Sequence, residues 1–127
     1  MPELQLYEYA VIRVVPMVER EEFLNIGVIL FCKKNNFLQA KFHLDEEKLN
    51  CFAKNLSQKE LEENIKSFDN ICLASNCKSP IADLDAPSRF RWLTAARSTI
   101  LQCSKVHPGL SKDLNQTLES LFNQLVK

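Results

Sequence analysis

Apolar side chains fall on both parities of the stretch Asn25-Ile26-Gly27-Val28-Ile29-Leu30-Phe31-Cys32, and Lys33-Lys34-Asn35-Asn36 closes it as a turn. A strand that is apolar on both faces has to be covered on both faces. The rest of the chain is therefore read as what pairs with this strand or packs over it. Upstream, Tyr7, Tyr9, Val11, Arg13 and Val15 alternate with Glu8, Ala10, Ile12 and Val14, and Pro16 removes a ladder donor and ends the strand. Downstream, Leu38, Ala40, Phe42 and Leu44 alternate with Gln39, Lys41 and His43, which predicts a hairpin partner carrying a surface histidine. Gly27 packs nothing inside the central strand, so a bulge or a ring laid over the backbone is expected there.

Helices follow. Asp45 caps a short helix bearing Leu49, Phe52 and Ala53, and Ser57-Gln58-Lys59-Glu60 is a capping box that opens a longer one. Leu61, Ile65, Phe68 and Cys72 form the apolar stripe of that longer helix. Asn76 to Asp85 reads as loop, and Pro87 starts a short helical turn. Ser98 to Ser104 reads as a fourth strand through Thr99, Ile100 and Leu101, and His107-Pro108-Gly109 as a turn. Asp113 with Gln116 opens a last helix striped by Leu114, Leu118, Leu121, Phe122 and Leu125. This order predicts one α+β domain over residues 1–127, a mostly antiparallel sheet of about four strands with helices packed against it.

Composition changes this picture little. A chain of 127 residues suits one domain, which buries roughly two-thirds of the surface its unfolded form exposes. The apolar share of 46% and charged share of 25% are ordinary for a globular protein. The longest apolar run is far below the roughly 20 residues of a membrane span, and Met1-Pro2-Glu3 lacks the basic start of a secretory signal, so a cytoplasmic protein with no membrane partner is expected. The five cysteines, Cys32, Cys51, Cys72, Cys77 and Cys103, are an odd number, read as reduced thiols that mostly fill the core. No pair has zinc-knuckle spacing, and His43 and His107 are remote from the closest pair, Cys72 and Cys77, so neither metal nor cofactor is expected.

Charge is where the sequence becomes uneven. Formal net charge is zero, which gives no whole-molecule attraction to nucleic acid or an anionic membrane. Yet Ala86 to Lys112, 27 residues, holds no Asp or Glu while it carries Arg89, Arg91, Arg97, Lys105 and Lys112. Arginine grips phosphate or carboxylate with a planar fork, and Ser98 and Thr99 add neutral donors beside Arg97. Arg13 joins this set as a guanidinium on an apolar strand face, where it needs open water, a carboxylate or a ligand. Opposite in sign is Glu19-Arg20-Glu21-Glu22, an acidic connection between the first two strands. Its carboxylates are the natural internal partners of the arginines. Trp92 and Phe90, which offer a stacking face, are read first as core.

Tyr7-Glu8-Tyr9-Ala10-Val11-Ile12-Arg13-Val14-Val15-Pro16, then Glu19-Arg20-Glu21-Glu22-Phe23 and Asn25-Ile26-Gly27-Val28, then Arg89-Phe90-Arg91-Trp92-Leu93 and Arg97-Ser98-Thr99, resemble over nearly the whole chain the bacterial family catalogued as domain of unknown function 3037. The resemblance implies a small cytosolic bacterial protein and assigns no activity. It also implies a HipA-like kinase as a partner, through genes that lie near such kinases. Met17 departs from the family pattern, where a more polar residue stands.

Three functional readings follow. The leading one is a noncatalytic binding module in which Arg13, Arg89, Arg91, Arg97, Ser98 and His107 hold a phosphate-bearing small molecule or an acidic protein surface. A second is an enzyme acting on a nucleotide or phosphodiester, with Glu21 or Glu22 and His107 as acid and base and the arginines stabilising charge. A third is an interaction subunit docking a partner through an apolar patch. A local basic segment leaves nucleic acid open as a ligand. If Glu19, Glu21 and Glu22 pair internally with the arginines, the cluster is structural instead.

Overall fold

The computed structural model describes residues 4–17, 20, 22–52, 57–74, 80–95 and 100–127. In order these form β1 (Gln5–Val14), β2 (Leu24–Cys32), β3 (Phe37–Phe42), α1 (Glu46–Phe52), α2 (Gln58–Cys72), a 3-10 turn (Pro80–Asp83), α3 (Ala86–Thr94), β4 (Leu101–Cys103), β5 (His107–Ser111) and α4 (Leu114–Leu125). The class is α+β, with every strand pair antiparallel. The sheet runs β3-β2-β1, and β4 and β5 lie in succession along the far edge of β1.

The two-sided pattern of β2 decides the layers. Ile29 and Phe31 face a core built with Ala10, Ile12 and Val14 of β1 and with Leu61, Phe68, Phe90 and Leu93 of α2 and α3. Val28, Leu30 and Cys32 face the other way, onto Leu114 and Leu118 of α4. The sheet is therefore sandwiched between α2 and α3 on one face and α4 on the other. Helix caps expected from the sequence are present: Ser57 accepts the Glu60 amide and Asp113 the Gln116 amide. Asn36, in the β2–β3 turn, takes the left-handed conformation with φ of 51°, which asparagine tolerates better than most residues.

Gly27 fulfils both expectations at once. The β1–β2 register shifts between Ile12 and Arg13, leaving Ile26 as the extra residue of a bulge. The bulge reverses the parity of β2, so that Ile26 joins the α2 side of the core while Asn25 turns to α4. A Cβ at Gly27 would stand 2.7 Å from the Lys41 carbonyl oxygen and 2.9 Å from the Phe42 ring.

Besides the 3-10 turn Pro80–Asp83, which falls inside the stretch read as loop, two elements differ from the sequence reading. His107-Pro108-Gly109 is strand, not turn, which makes the sheet five-stranded. Val15 donates to the Ile100 carbonyl at 2.7 Å and Ser104 to the Val11 carbonyl at 2.8 Å, so the odd-numbered residues of β1 bond towards β4 and β5. Pro108 opposes Glu8, an even residue, and its missing N–H faces away from the sheet and costs nothing. Gly109 leaves room for the Tyr7 ring, which a Cβ there would overlap. The second difference is α3, a full helix of nine residues capped by Asp85 where a short turn was expected. Residues 98 and 99 of the expected fourth strand lie outside the described residues.

Between β4 and β5 the ladder is carried by a side chain. Val11 donates its N–H to Ser104 Oγ at 2.8 Å, and that hydroxyl donates to the Lys105 carbonyl at 3.0 Å. Ser104→Ala leaves the Val11 N–H without its acceptor, and a loss of about 1–3 kcal/mol is expected. Gly27→Ala forces the β3 backbone aside and is expected to cost about 1–3 kcal/mol. Urea unfolding of each variant checks both values.

Candidate functional site

The arginines are distributed by the elements that carry them. In α3, Asp85 caps the helix by accepting the Ser88 amide at 3.0 Å, and Phe90 and Leu93 bury one face. Phe90 stacks on Phe31 of β2 with ring centroids 5.1 Å apart. That contact fixes the helix over the sheet and sets the directions of Arg89 and Arg91. Trp92 is half-buried against the same core, as expected.

Arg89 turns inward. Its Nη1 donates to the Leu84 carbonyl at 2.6 Å, tying α3 to the preceding turn, and its Nε is buried with no hydrogen-bond partner. Its charge reaches the buried Cys72 of α2. Burial first and the Asp69 carboxylate second push that thiol up to about 12, with Arg89 opposing them. Arg89 is thereby absorbed into the packing of α3 on α2.

Arg91 turns outward, into a cavity of about 460 Å3 lined by Glu8, Phe31, Lys33, Asp85, Pro87, Phe90 and Arg91. That volume lies within the roughly 300–1,000 Å3 of ligand pockets. Among the described residues no carboxylate is within ion-pair distance of Arg91. Asp85 is held below its ordinary value, chiefly by its hydrogen bonds with Ser88 and further by the nearby Arg91 and Arg89. Beyond Glu8 the same sheet face carries exposed leucines. Leu6 stands opposite Leu110 in the β1–β5 register, and Leu4, Leu6 and Leu110 are 55%, 63% and 62% exposed. The sequence reading allows for an apolar docking patch but does not locate this exposed row beside a charged cavity. Only the β5 pairing reveals it.

Arg13 and His107 lie on the other face of the sheet. The Arg13 guanidinium stacks over the Phe23 ring, 3.9 Å from its centroid, and its buried Nε has no hydrogen-bond partner. Its cross-strand neighbour Asn25 donates to the Leu125 carbonyl at 3.1 Å. His107 pairs with Tyr9 and rests against it, with ring centroids 5.4 Å apart. The structure therefore separates His107 and Arg13 from Arg89 and Arg91 by the thickness of the sheet. In the acidic connection, Glu22 forms an ion pair with its neighbour Arg20, not with α3. Glu19, Glu21, Arg97 and Ser98 lie outside the described residues. Among the described residues no group of three or more His, Cys, Asp or Glu side chains could hold a metal ion, and no helix is long and apolar enough to cross a membrane.

Residues 9–126 match a family model whose description is a protein of unknown function, DUF3037. The chain belongs to the DUF3037 family. No curated protein and no solved structure matches it significantly. The DUF3037 match takes in α3, Arg13 and His107 alike, and both faces of the sheet with them.

Asp85 supplies a pH test of the cavity's electrostatics. A carboxylate with a lowered folded pKa stabilises above its unfolded value of about 3.9, and that contribution fades as pH falls through the folded value. Asparagine keeps the cap but not the charge. Wild type is thus expected to melt above Asp85→Asn at neutral pH, with the gap closing in acid. Melting temperatures at stepped pH check this.

Proposed function

We propose that this DUF3037 chain is a noncatalytic binding module that holds an acidic segment of a partner protein in the cavity beside α3. Arg91 and Lys33 supply the positive groups, and Leu4, Leu6 and Leu110 supply apolar contact at its mouth. The observation that carries this reading is an exposed guanidinium with no ion pair among the described residues, bordering a row of exposed leucines on the sheet. Contiguous apolar surface rimmed by charge is the usual mark of a protein interaction site. Neighbouring Glu8 disfavours a densely charged polyanion and favours a partner with spaced acids among apolar residues. Asp85 is already engaged as a cap.

Arg91 and Lys33 also suit a phosphate-bearing small molecule, the other form of the binding-module reading, and the test has to separate the two. Acid–base catalysis by His107 with the α3 arginines has no support, since proton transfer needs hydrogen-bond reach. A HipA-like kinase, the partner implied by the family resemblance, is one protein to assay for an acidic, leucine-bearing segment of this kind.

A fluorescent peptide of alternating glutamate and leucine, and separately ATP, would be titrated at two salt concentrations. Peptide binding that weakens with salt and falls about tenfold or more in Arg91→Ala is expected, as for loss of a charge-assisted hydrogen bond. Tight ATP binding with none of the peptide would move the reading to a phosphate ligand. Failure of both probes to respond to Arg91→Ala would remove it.

A further inference from the structure

The two edges of the sheet are treated differently. On the β4–β5 edge, Pro108 presents no outward N–H, and the Ser104 side chain interrupts the strand. A proline and an irregularity of this kind are the devices by which proteins blunt an edge against further pairing. The β3 edge has neither. Its register with β2 runs without a shift from Gly27–Phe42 to Cys32–Phe37. His43 donates to the Ile26 carbonyl at 2.7 Å, which sets the alternation: odd-numbered residues of β3 bond to β2. The N–H and C=O groups of Leu38, Ala40 and Phe42 point away from the sheet, and among the described residues no hydrogen bond reaches them.

Lysine on an edge strand ordinarily repels a newcomer. Lys41 serves in that way only in part. It is drawn onto α4, where it forms an ion pair with Glu119 and lies over the Phe122 ring, 4.9 Å from its centroid. The partly exposed ion pair lowers its repulsion of an incoming strand without cancelling its charge.

The pattern of the strand then selects the occupant. Leu38-Gln39-Ala40-Lys41-Phe42 reads apolar, polar, small, polar, apolar in either direction. A two-fold axis at Ala40 sets each Ala40 against its mate, Leu38 against Phe42, and Gln39 against Lys41. The apolar pairs fall on the face that α2 covers, where Leu38, Ala40 and Phe42 already belong to the core. No like charges oppose one another, whereas an axis at Lys41 would set two lysines together. Each facing pair of outward residues exchanges two backbone hydrogen bonds.

We propose that the chain pairs with a second copy of itself along β3, antiparallel and centred on Ala40, so that the two sheets become one continuous sheet. This interface is separate from the cavity beside α3 and stands or falls independently of it. Its identical patches are those a closed two-fold dimer requires.

Sedimentation velocity of the full chain from about 5 to about 500 μM should show a concentration-dependent dimer, as expected of a small interface. Gln39 is exposed, so its variants fold: Gln39→Glu, facing Lys41 of the second copy, should tighten the dimer and Gln39→Lys should loosen it. Two such pairs per dimer predict a change of about two- to thirtyfold in each direction. Ala40→Pro removes one outward N–H and spares the β2 ladder, and should abolish dimerisation with its circular dichroism unchanged. Leu110→Pro on the other edge should leave the dimer intact. A chain that stays monomeric throughout, or a dimer with the same affinity in Gln39→Glu and Gln39→Lys, overturns the proposal. So does loss of the dimer in Leu110→Pro alone.

Discussion

Everything in this fold answers to the burial of β2 on both faces. Val28, Ile29, Leu30 and Cys32 have no exposed surface, and each large apolar side chain fully buried contributes about 1.5–3 kcal/mol. Neither face can be left to water without losing a set of these contributions. Two helical layers are therefore required, and the chain draws them from different places, α2 and α3 from the middle and α4 from the end. Something must carry the backbone from one face to the other. The β4–β5 segment does so by running along the free edge of β1, which closes that edge as it passes.

What could be read beforehand followed from local rules. The alternation in β1 and β3, the caps at Ser57 and Asp113, and the special role of Gly27 are each written within a few residues, and each is present in the fold. The misreading at His107-Pro108-Gly109 had the opposite origin. Proline and glycine signal a turn locally, but here the proline nitrogen faces outward and the glycine lies beneath Tyr7. Both facts depend on a strand about a hundred residues away. The charged segment was legible as a run and illegible as a place. Arg89 and Arg91 are two residues apart, yet one is absorbed in packing and the other opens on a cavity. His107 belongs to the opposite face of the sheet because β5 is a strand.

The bulge at Gly27 explains a second polar arrangement. By reversing the parity of β2 it sets Asn25 beside Arg13, where an unbroken strand would have placed an apolar neighbour. Arg13 Nε and Asn25 Oδ1 are both buried without a partner, and each such atom carries a desolvation cost of about 1–3 kcal/mol. Two features offset it. The guanidinium lies on the Phe23 ring, a stacked cation–π contact. Asn25 also ties β2 to the Leu125 carbonyl at the end of α4, and the negative end of a helix favours a nearby cation. Arg13 is thus an arginine the fold accommodates, which distinguishes it from Arg91.

The uncovered row at Leu4, Leu6 and Leu110 has a geometric cause that leads back to the same helix. Nine residues of α3 reach about 13 Å at 1.5 Å each. The ten residues of β1 extend for about 33 Å. A helix of that length crossing the sheet leaves one end of the strand bare unless another element reaches it. Growth of α3 towards that end is blocked by its own start: Asp85 is committed as the cap, and Pro87 fits only the first turn. The residues that end the apolar layer also place Arg91 at its border. Exposed leucines and a guanidinium with no ion pair among the described residues therefore border one another for one structural reason.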